Sequence, residues 1–298
     1  MNFFRARRRQ QLIFAACVIV PMLASYALFL VWPVGWAFSI SLSDWNLFQN
    51  AGNFVGLRNY MRAFRDPIFR ISLTNTFYYA ILSVPLGLGL AILLGVLIQG
   101  AGRFRSLFRV LYFMPVLTSE IATGVLWRWL YQPEYGLFNS ILSAINLPRL
   151  GWLYSPELAM PSVVAYATWK GIGFTVIIIM AGLDGIDETY YEAARVDGAS
   201  NWAQFRYVTL PMLSPTLFFN FITLTIGSFQ VFTQAYIMTG GGPVHSTLFY
   251  VLYLFQTAFE SLRMGYASAM AWILFFVIVG VSLFQLAVSR RLVYYEEG

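Results

Sequence analysis

Charge is scarce in this sequence. Of 298 residues, 11% are Asp, Glu, Lys or Arg, against about a quarter in soluble domains. So few charges cannot cover the water-facing surface of a chain this long, which excludes a soluble enzyme. There is one lysine, Lys170, and it stands between Trp169 and Gly171. A GxxxxGK[ST] phosphate loop needs a lysine followed by Ser or Thr, so the chain has no Walker A site. A single cysteine (Cys17) and a single histidine (His245) exclude a disulfide framework and a Cys/His zinc cluster. Cys17 lies in an apolar run and reads as an inert, lipid- or helix-facing thiol. His245 follows GGGP and reads as a solvated turn residue, too remote to activate a nucleophile within the membrane.

Apolar residues make up 59% of the chain and aromatics 18%, and the mean hydropathy is +0.65. That content excludes a disordered chain, which would be rich in charge and poor in aromatics. The net charge of +6 is explained by its placement. Arg5, Arg7, Arg8 and Arg9 directly precede an apolar run, the layout of a cytoplasmic anchor rather than a nucleic-acid surface.

A transmembrane helix needs roughly 20 mostly apolar residues. Six stretches qualify, at about 12–38, 73–99, 107–131, 158–183, 214–238 and 264–289. The first is too long for a signal peptide and lacks a small-residue cleavage site, so it is read as retained. The expectation is an all-α integral membrane protein, a single transmembrane domain over 1–298. With both termini cytoplasmic, eleven arginines fall on the inner side: Arg5, Arg7, Arg8, Arg9, Arg103, Arg105, Arg109, Arg195, Arg206, Arg290 and Arg291. Six fall outside: Arg58, Arg62, Arg65, Arg70, Arg149 and Arg263. The bias favours that orientation, although the first outer segment alone carries four of the six. Segments 39–72 and 132–157 bear Trp, Tyr and Pro and read as interfacial and outer, and 100–109 as a short basic inner turn.

The inner segment 184–213 holds five of the thirteen acids: Asp184, Asp187, Glu188, Glu192 and Asp197. Asp187 or Thr189 can cap a helix, and Thr189 with Glu192 has capping-box spacing. Ala193 and Ala194 favour helix, and Gly198 suits a left-handed terminator. Ser200 or Asn201 can cap a second helix, which Pro211 is expected to close. Two alanines beside a glutamate make a shallow face that a partner can approach closely, although the same hairpin would serve merely to connect two spans.

EAARVDGA at 192–199, followed by LP at 210–211, resembles the EAA motif of ABC-importer membrane subunits. FVGLRNY at 54–60, LTNT at 73–76, WRWLYQPEYG at 127–136, WKGIGF at 169–174, TGGGP at 239–243 and GYASAMA at 265–271 are similar to its carbohydrate-uptake branch. The resemblance implies a type I permease fold with six transmembrane helices. It assigns coupling to the ATPase to Glu192, Ala193, Ala194, Asp197, Gly198 and Pro211. It also implies a second, homologous permease, two cytoplasmic ATP-binding subunits that hold ATP and Mg, and an extracytoplasmic substrate-binding protein. No cofactor, metal or nucleic acid is expected in this chain, and the expected location is the bacterial inner membrane.

Ionisable groups within a bilayer default to a functional hypothesis. Glu120, in PVLTSEIATG, reads either as a protonated group bonded across helices or as a cavity-lining acceptor for substrate hydroxyls. Resemblance to maltose importers would place substrate contacts at Val116, Glu120, Ala167, Lys170, Gly171, Gly227, Ser228 and Val231, with Phe229 and Gln230 adjoining. Lys170 reads equally as an anchor or as a pathway residue; with Glu120 it could recognise a more polar or charged ligand, or the two could pair with each other. Thr233 stands where many relatives carry Asp, so no role of that acid carries over. The expected cargo is a sugar or oligosaccharide. The alternatives are glycerol-3-phosphate or another polar osmolyte, and, in different classes, an ion-coupled secondary carrier or a scaffold without cargo.

Overall fold

The computed structural model describes residues 14, 16–46, 48 and 52–292, with side chains to 289. Arg5, Arg7, Arg8 and Arg9, and the side chains of Arg290 and Arg291, lie outside the described residues. Helices dominate: α1 (Ala16–Ser41), α2 (Arg58–Arg65), α3 (Pro67–Gln99), α4 (Arg105–Leu117), α5 (Glu120–Leu130), α6 (Leu137–Ala144), α7 (Pro156–Asp184), α8 (Glu188–Val196), α9 (Asn201–Phe229), α10 (Thr233–Met238), α11 (Tyr250–Phe255) and α12 (Met264–Leu292). Two compact units divide the chain, one of residues 1–65 with 254–273 and one of 66–253 with 274–298.

In the larger unit α7 is the central helix and packs against α3, α4 and α9. Of its apolar window 44% is buried inside the protein, against 0% for α1 in the smaller unit. The flanks of α1 are thus left for lipid or a partner. One apolar layer joins Ala91 and Ile98 of α3, Val176, Ile179 and Met180 of α7, and Leu213 of α9. Another gathers Tyr79, Tyr131, Val163, Tyr166, Met238 and Phe249. Backbones approach closely where side chains vanish, as helices in lipid require: a Cβ on Gly173 of α7 would collide with the Tyr112 carbonyl of α4.

Asp66 starts α3, its carboxylate accepting from the Ile68 amide (2.9 Å), with Pro67 at the first helical position. At 33 residues α3 is about 50 Å long. It must therefore tilt or project beyond a hydrocarbon core of about 30 Å.

Two expected spans differ from simple helices. The third, about 107–131, is a pair of half-helices, α4 and α5, bent by 95°. Thr118 and Ser119 are extended (ψ 154° and 129°), so the carbonyls ending α4 lose their helical partners. In lipid such a break survives only where other groups satisfy the backbone, and Lys170 does so. The fifth, about 214–238, ends at Phe229 and resumes only as the short α10. Nor does Pro211 close a separate helix. The chain runs from Asn201 to Phe229 through a π turn at Phe205–Thr209. That widened turn, closed by the Leu210 amide on the Phe205 carbonyl, ends just before the proline that cannot donate.

Candidate functional site: a polar cavity and a helical hairpin

Within the larger unit a cavity of about 460 Å³ lies among α3, α4, α5, α7, α9 and the 230–234 segment. Glu120, Lys170, Gly171, Ser228 and Gln230 line it. So do Val116, Ala167, Gly227 and Val231, which places all eight positions implied by the resemblance on one wall system. Phe229 does not line it. This residue is 2% exposed, and its ring packs edge-on against Phe77 of α3 with centroids 4.9 Å apart.

The geometry separates the two charges. The Lys170 ammonium donates to the carbonyls of Pro115 (2.5 Å) and Thr118 (2.6 Å) and to Thr118 Oγ1 (3.0 Å). It closes the carbonyl end of α4, where the helix dipole is negative. Among the described residues no ion pair joins it to Glu120. Glu120 opens α5, with its backbone carbonyl bonded by Tyr166 (3.1 Å) and Thr123 (3.2 Å). Lys170 is therefore committed to the backbone, and Glu120 is the uncommitted charge of the cavity.

Further polar walls come from Tyr79, Ser83, Thr175, Thr223, Thr233 and Gln234, of which the sequence had drawn attention only to Thr233. Gln234 Nε2 donates to the Tyr79 hydroxyl (3.0 Å). Tyr79 and Ser83 are spaced i, i+4 on a largely apolar span, which puts both on one helix face. That spacing was a legible signal. Gln234 had none, because it faces the cavity only through the break after Phe229.

The hairpin at 184–213 is a second constellation. Asp187 caps α8, its carboxylate accepting from the Thr189 amide (2.8 Å), and that bond holds its carboxyl below the usual range. Gly198 has φ +74°. The turn around it is closed by its amide on the Arg195 carbonyl (3.1 Å) and by Ala199 on Ala194 (2.9 Å), a Schellman-type ending. Ser200 Oγ then caps α9 through the Ala203 amide (3.3 Å). Glu192, Ala193, Asp197 and Gly198 are exposed, while Ala194 and Pro211 are half-buried. Val196 and Trp202 are 88% and 71% exposed, an apolar surface of the kind partners cover.

The hairpin is gripped at its root. Arg105 contacts both carboxylate oxygens of Asp184, Arg109 reaches one at 3.2 Å, and Gln99 donates at 2.9 Å. The basic turn at 100–109 thus clasps the acid from which the hairpin springs. The same α4 ends at the lysine-capped break beside the cavity.

Apolar helices around a polar cavity, with an exposed hairpin between two of them, define an integral membrane permease. The chain belongs to the family of binding-protein-dependent transport system inner membrane components, which matches residues 75–294. It is 35% identical over 283 residues to the probable ABC transporter permease protein YesP of Bacillus subtilis (strain 168), covering 93% of this chain and 91% of that one. It is 33% identical over 277 residues to the trehalose/maltose transport system permease protein MalF of Thermococcus litoralis, covering 92% of each. A solved bacterial alginate ABC transporter, in complex with alginate pentasaccharide-bound periplasmic protein, shares the fold: TM-score 0.82, 24% identity, 98% of both chains covered. The chain is thus a multi-pass, non-catalytic ABC-importer permease subunit of type I fold.

Proposed function

We propose that this permease carries a neutral sugar or oligosaccharide inward by alternating access. The observation that carries the reading is the cavity, whose hydroxyls and amides (Tyr79, Ser83, Thr175, Ser228, Gln230, Gln234) surround a single uncommitted carboxylate. Sugar hydroxyls donate to a carboxylate and exchange hydrogen bonds with amides and hydroxyls. The naming of one relative for trehalose and maltose supports the cargo class. A glycerol-3-phosphate-type anion fits less well, because Lys170 is bonded to backbone carbonyls and Glu120 would repel the phosphate.

In this reading a second permease completes the pore and an extracytoplasmic binding protein delivers the sugar. Two cytoplasmic ATPases, which bind ATP and Mg²⁺, seat the hairpin through Glu192, Ala193, Ala194, Asp197, Gly198 and Pro211. Both termini are cytoplasmic. Closure of the two ATPases would pull on Asp184, and α4 would pass the movement to the cavity through Arg105 and Arg109.

The test is uptake of radiolabelled sugars by sealed proteoliposomes holding the whole complex, with Glu120→Gln and Glu120→Ala beside the wild type. The expected results are ATP-dependent, ionophore-insensitive uptake, and a higher half-saturating substrate concentration in both variants. Uptake driven by an ion gradient without ATP would reinstate the secondary carrier. Wild-type kinetics in both variants would remove Glu120 from the pathway.

A further inference from the structure

The positive-inside tendency makes arginine on the outer side of a membrane protein uncommon, yet Arg58, Arg62, Arg65 and Arg70 cluster between the first two spans. In the smaller unit two of these share a notch with a third arginine from far along the chain. Arg58 and Arg62 of α2 and Arg263, just before α12, line a cavity of about 120 Å³ together with Asp44, Trp45, Asn46, Asn59 and Tyr266. Among the described residues no carboxylate forms an ion pair with any of the three arginines.

The notch is firmly built. Buried Asn59 donates to the carbonyls of Ser41 (2.9 Å) and Ser43 (2.8 Å). The Asp44 carboxylate accepts from the Asn53 amide (2.5 Å). The Gly265 amide donates to the Trp45 carbonyl (3.1 Å), and a Cβ at Gly265 would collide with the Ser43 carbonyl. The Arg62 guanidinium lies 5.2 Å from the Tyr266 ring centroid, a cation–π placement that restrains it. Three positive groups and one negative leave a net positive rim on a fixed floor.

We propose that this notch binds one carboxylate, an acidic side chain presented by the extracytoplasmic binding protein, and so orients that protein on the permease. The proposal rests on the importer reading. Size decides against a free oligosaccharide: at about 120 Å³, against about 460 Å³ for the cavity of the larger unit, the space suits a carboxylate rather than linked sugar rings. Side decides for the binding protein. With both termini cytoplasmic, as proposed above, the segment after α1 and the segment before α12 lie outside, the face on which an extracytoplasmic protein arrives. Arginine's planar fork matches a carboxylate bidentately, and rim charges of this kind set encounter rate and salt dependence.

The experiment uses the intact complex in nanodiscs with the binding protein that co-purifies with it. The measurement is the binding-protein concentration that half-saturates ATPase stimulation, from about 0.01 M to about 1 M salt. Three arginines acting on one partly exposed carboxylate, together contributing about 1.4 kcal/mol, predict that Arg58→Gln/Arg62→Gln/Arg263→Gln raises that concentration about tenfold at low salt. The stimulated maximum should be unchanged, and the difference should vanish at high salt. Asp44→Asn, which keeps an acceptor for the Asn53 amide, should lower the concentration. That opposite sign guards against mere misfolding of the triple variant. Sodium acetate replacing chloride at equal ionic strength should compete in the wild type and not in the triple variant. Unchanged half-saturation in the triple variant at low salt, or a rise in Asp44→Asn, overturns the notch while leaving the importer intact. Absence of any stimulation in the wild type overturns the importer reading, and the notch with it.

Discussion

Gly198 gives the sharpest test of the hairpin. Its φ of +74° lies in the left-handed region, and a Cβ built there meets nothing within 4 Å. Packing therefore contributes nothing, and the whole effect of a substitution is backbone strain. An L-residue in this region costs about 1–2 kcal/mol, more for a β-branched one. At 1.4 kcal/mol per factor of ten, Gly198→Ala should shift the closed turn against opened ones by about 5- to 30-fold, and Gly198→Val further. Gly198→Asn, whose short polar side chain tolerates this conformation, should fall between Gly and Ala. The turn closes the bonds from Gly198 to Arg195 and from Ala199 to Ala194, which hold Ala194 in the last helical turn. Strain there should misplace the exposed face of Glu192, Ala193 and Asp197 without touching the membrane core. The assay is sugar transported per ATP hydrolysed in proteoliposomes, with membrane insertion checked by quantitation. The expected order of coupling is Gly, Asn, Ala, Val at equal protein levels. Wild-type coupling in Gly198→Val, or loss of insertion in all three variants, would refute the reasoning.

Lys170→Met should leave the Thr118 carbonyl without its ammonium, while the Pro115 carbonyl keeps the Thr118 amide and hydroxyl, and cost about 1 kcal/mol of stability; Lys170→Arg should restore most of it. Thermal unfolding in detergent measures both, and a fully stable Met variant would show that the break needs no cap. Asp184→Asn leaves Arg105 and Arg109 facing each other without their shared acid. Because the cluster is partly exposed, the stability loss should stay near 1 kcal/mol, while transport per ATP falls. Equal coupling would remove α4 as the link between hairpin and cavity. The Asp187 carboxyl is held low by its bond from the Thr189 amide. Its stabilisation is fully present above about pH 3.9, the ordinary Asp value, and is lost only as pH falls through its lower folded value. The protection factor of the Thr189 amide, its exchange rate divided into the intrinsic rate at each pH, should be flat across neutral pH and fall in acid, and Asp187→Asn should abolish that acid dependence.

The arrangement of spans was largely legible because lipid imposes it: length and apolarity suffice to mark a crossing helix. The hairpin was legible too, since capping residues, helix formers and a terminating glycine act locally. Asp187, Ser200 and Gly198 each occupy the role their chemistry suggested. The broken third span was not legible, because it depends on a lysine 52 residues beyond Thr118. The pairing of Glu120 with Lys170 failed for the same reason. Backbone carbonyls freed by the bend compete for the ammonium, and sequence spacing does not reveal a bend.

By itself the sequence determined that this is a helical membrane protein without its own phosphate loop, since composition and a single lysine leave no other option. It also determined the hairpin, since local propensity and capping depend on neighbours alone. Only the tertiary structure decided which polar side chains share the cavity. It alone assigned Lys170 to the backbone and left Glu120 as the free charge, placed Phe229 against Phe77, and brought Arg263 beside Arg58 and Arg62. Those outcomes depend on helices meeting across long separations in sequence, where close packing and the need to satisfy every buried polar group act together.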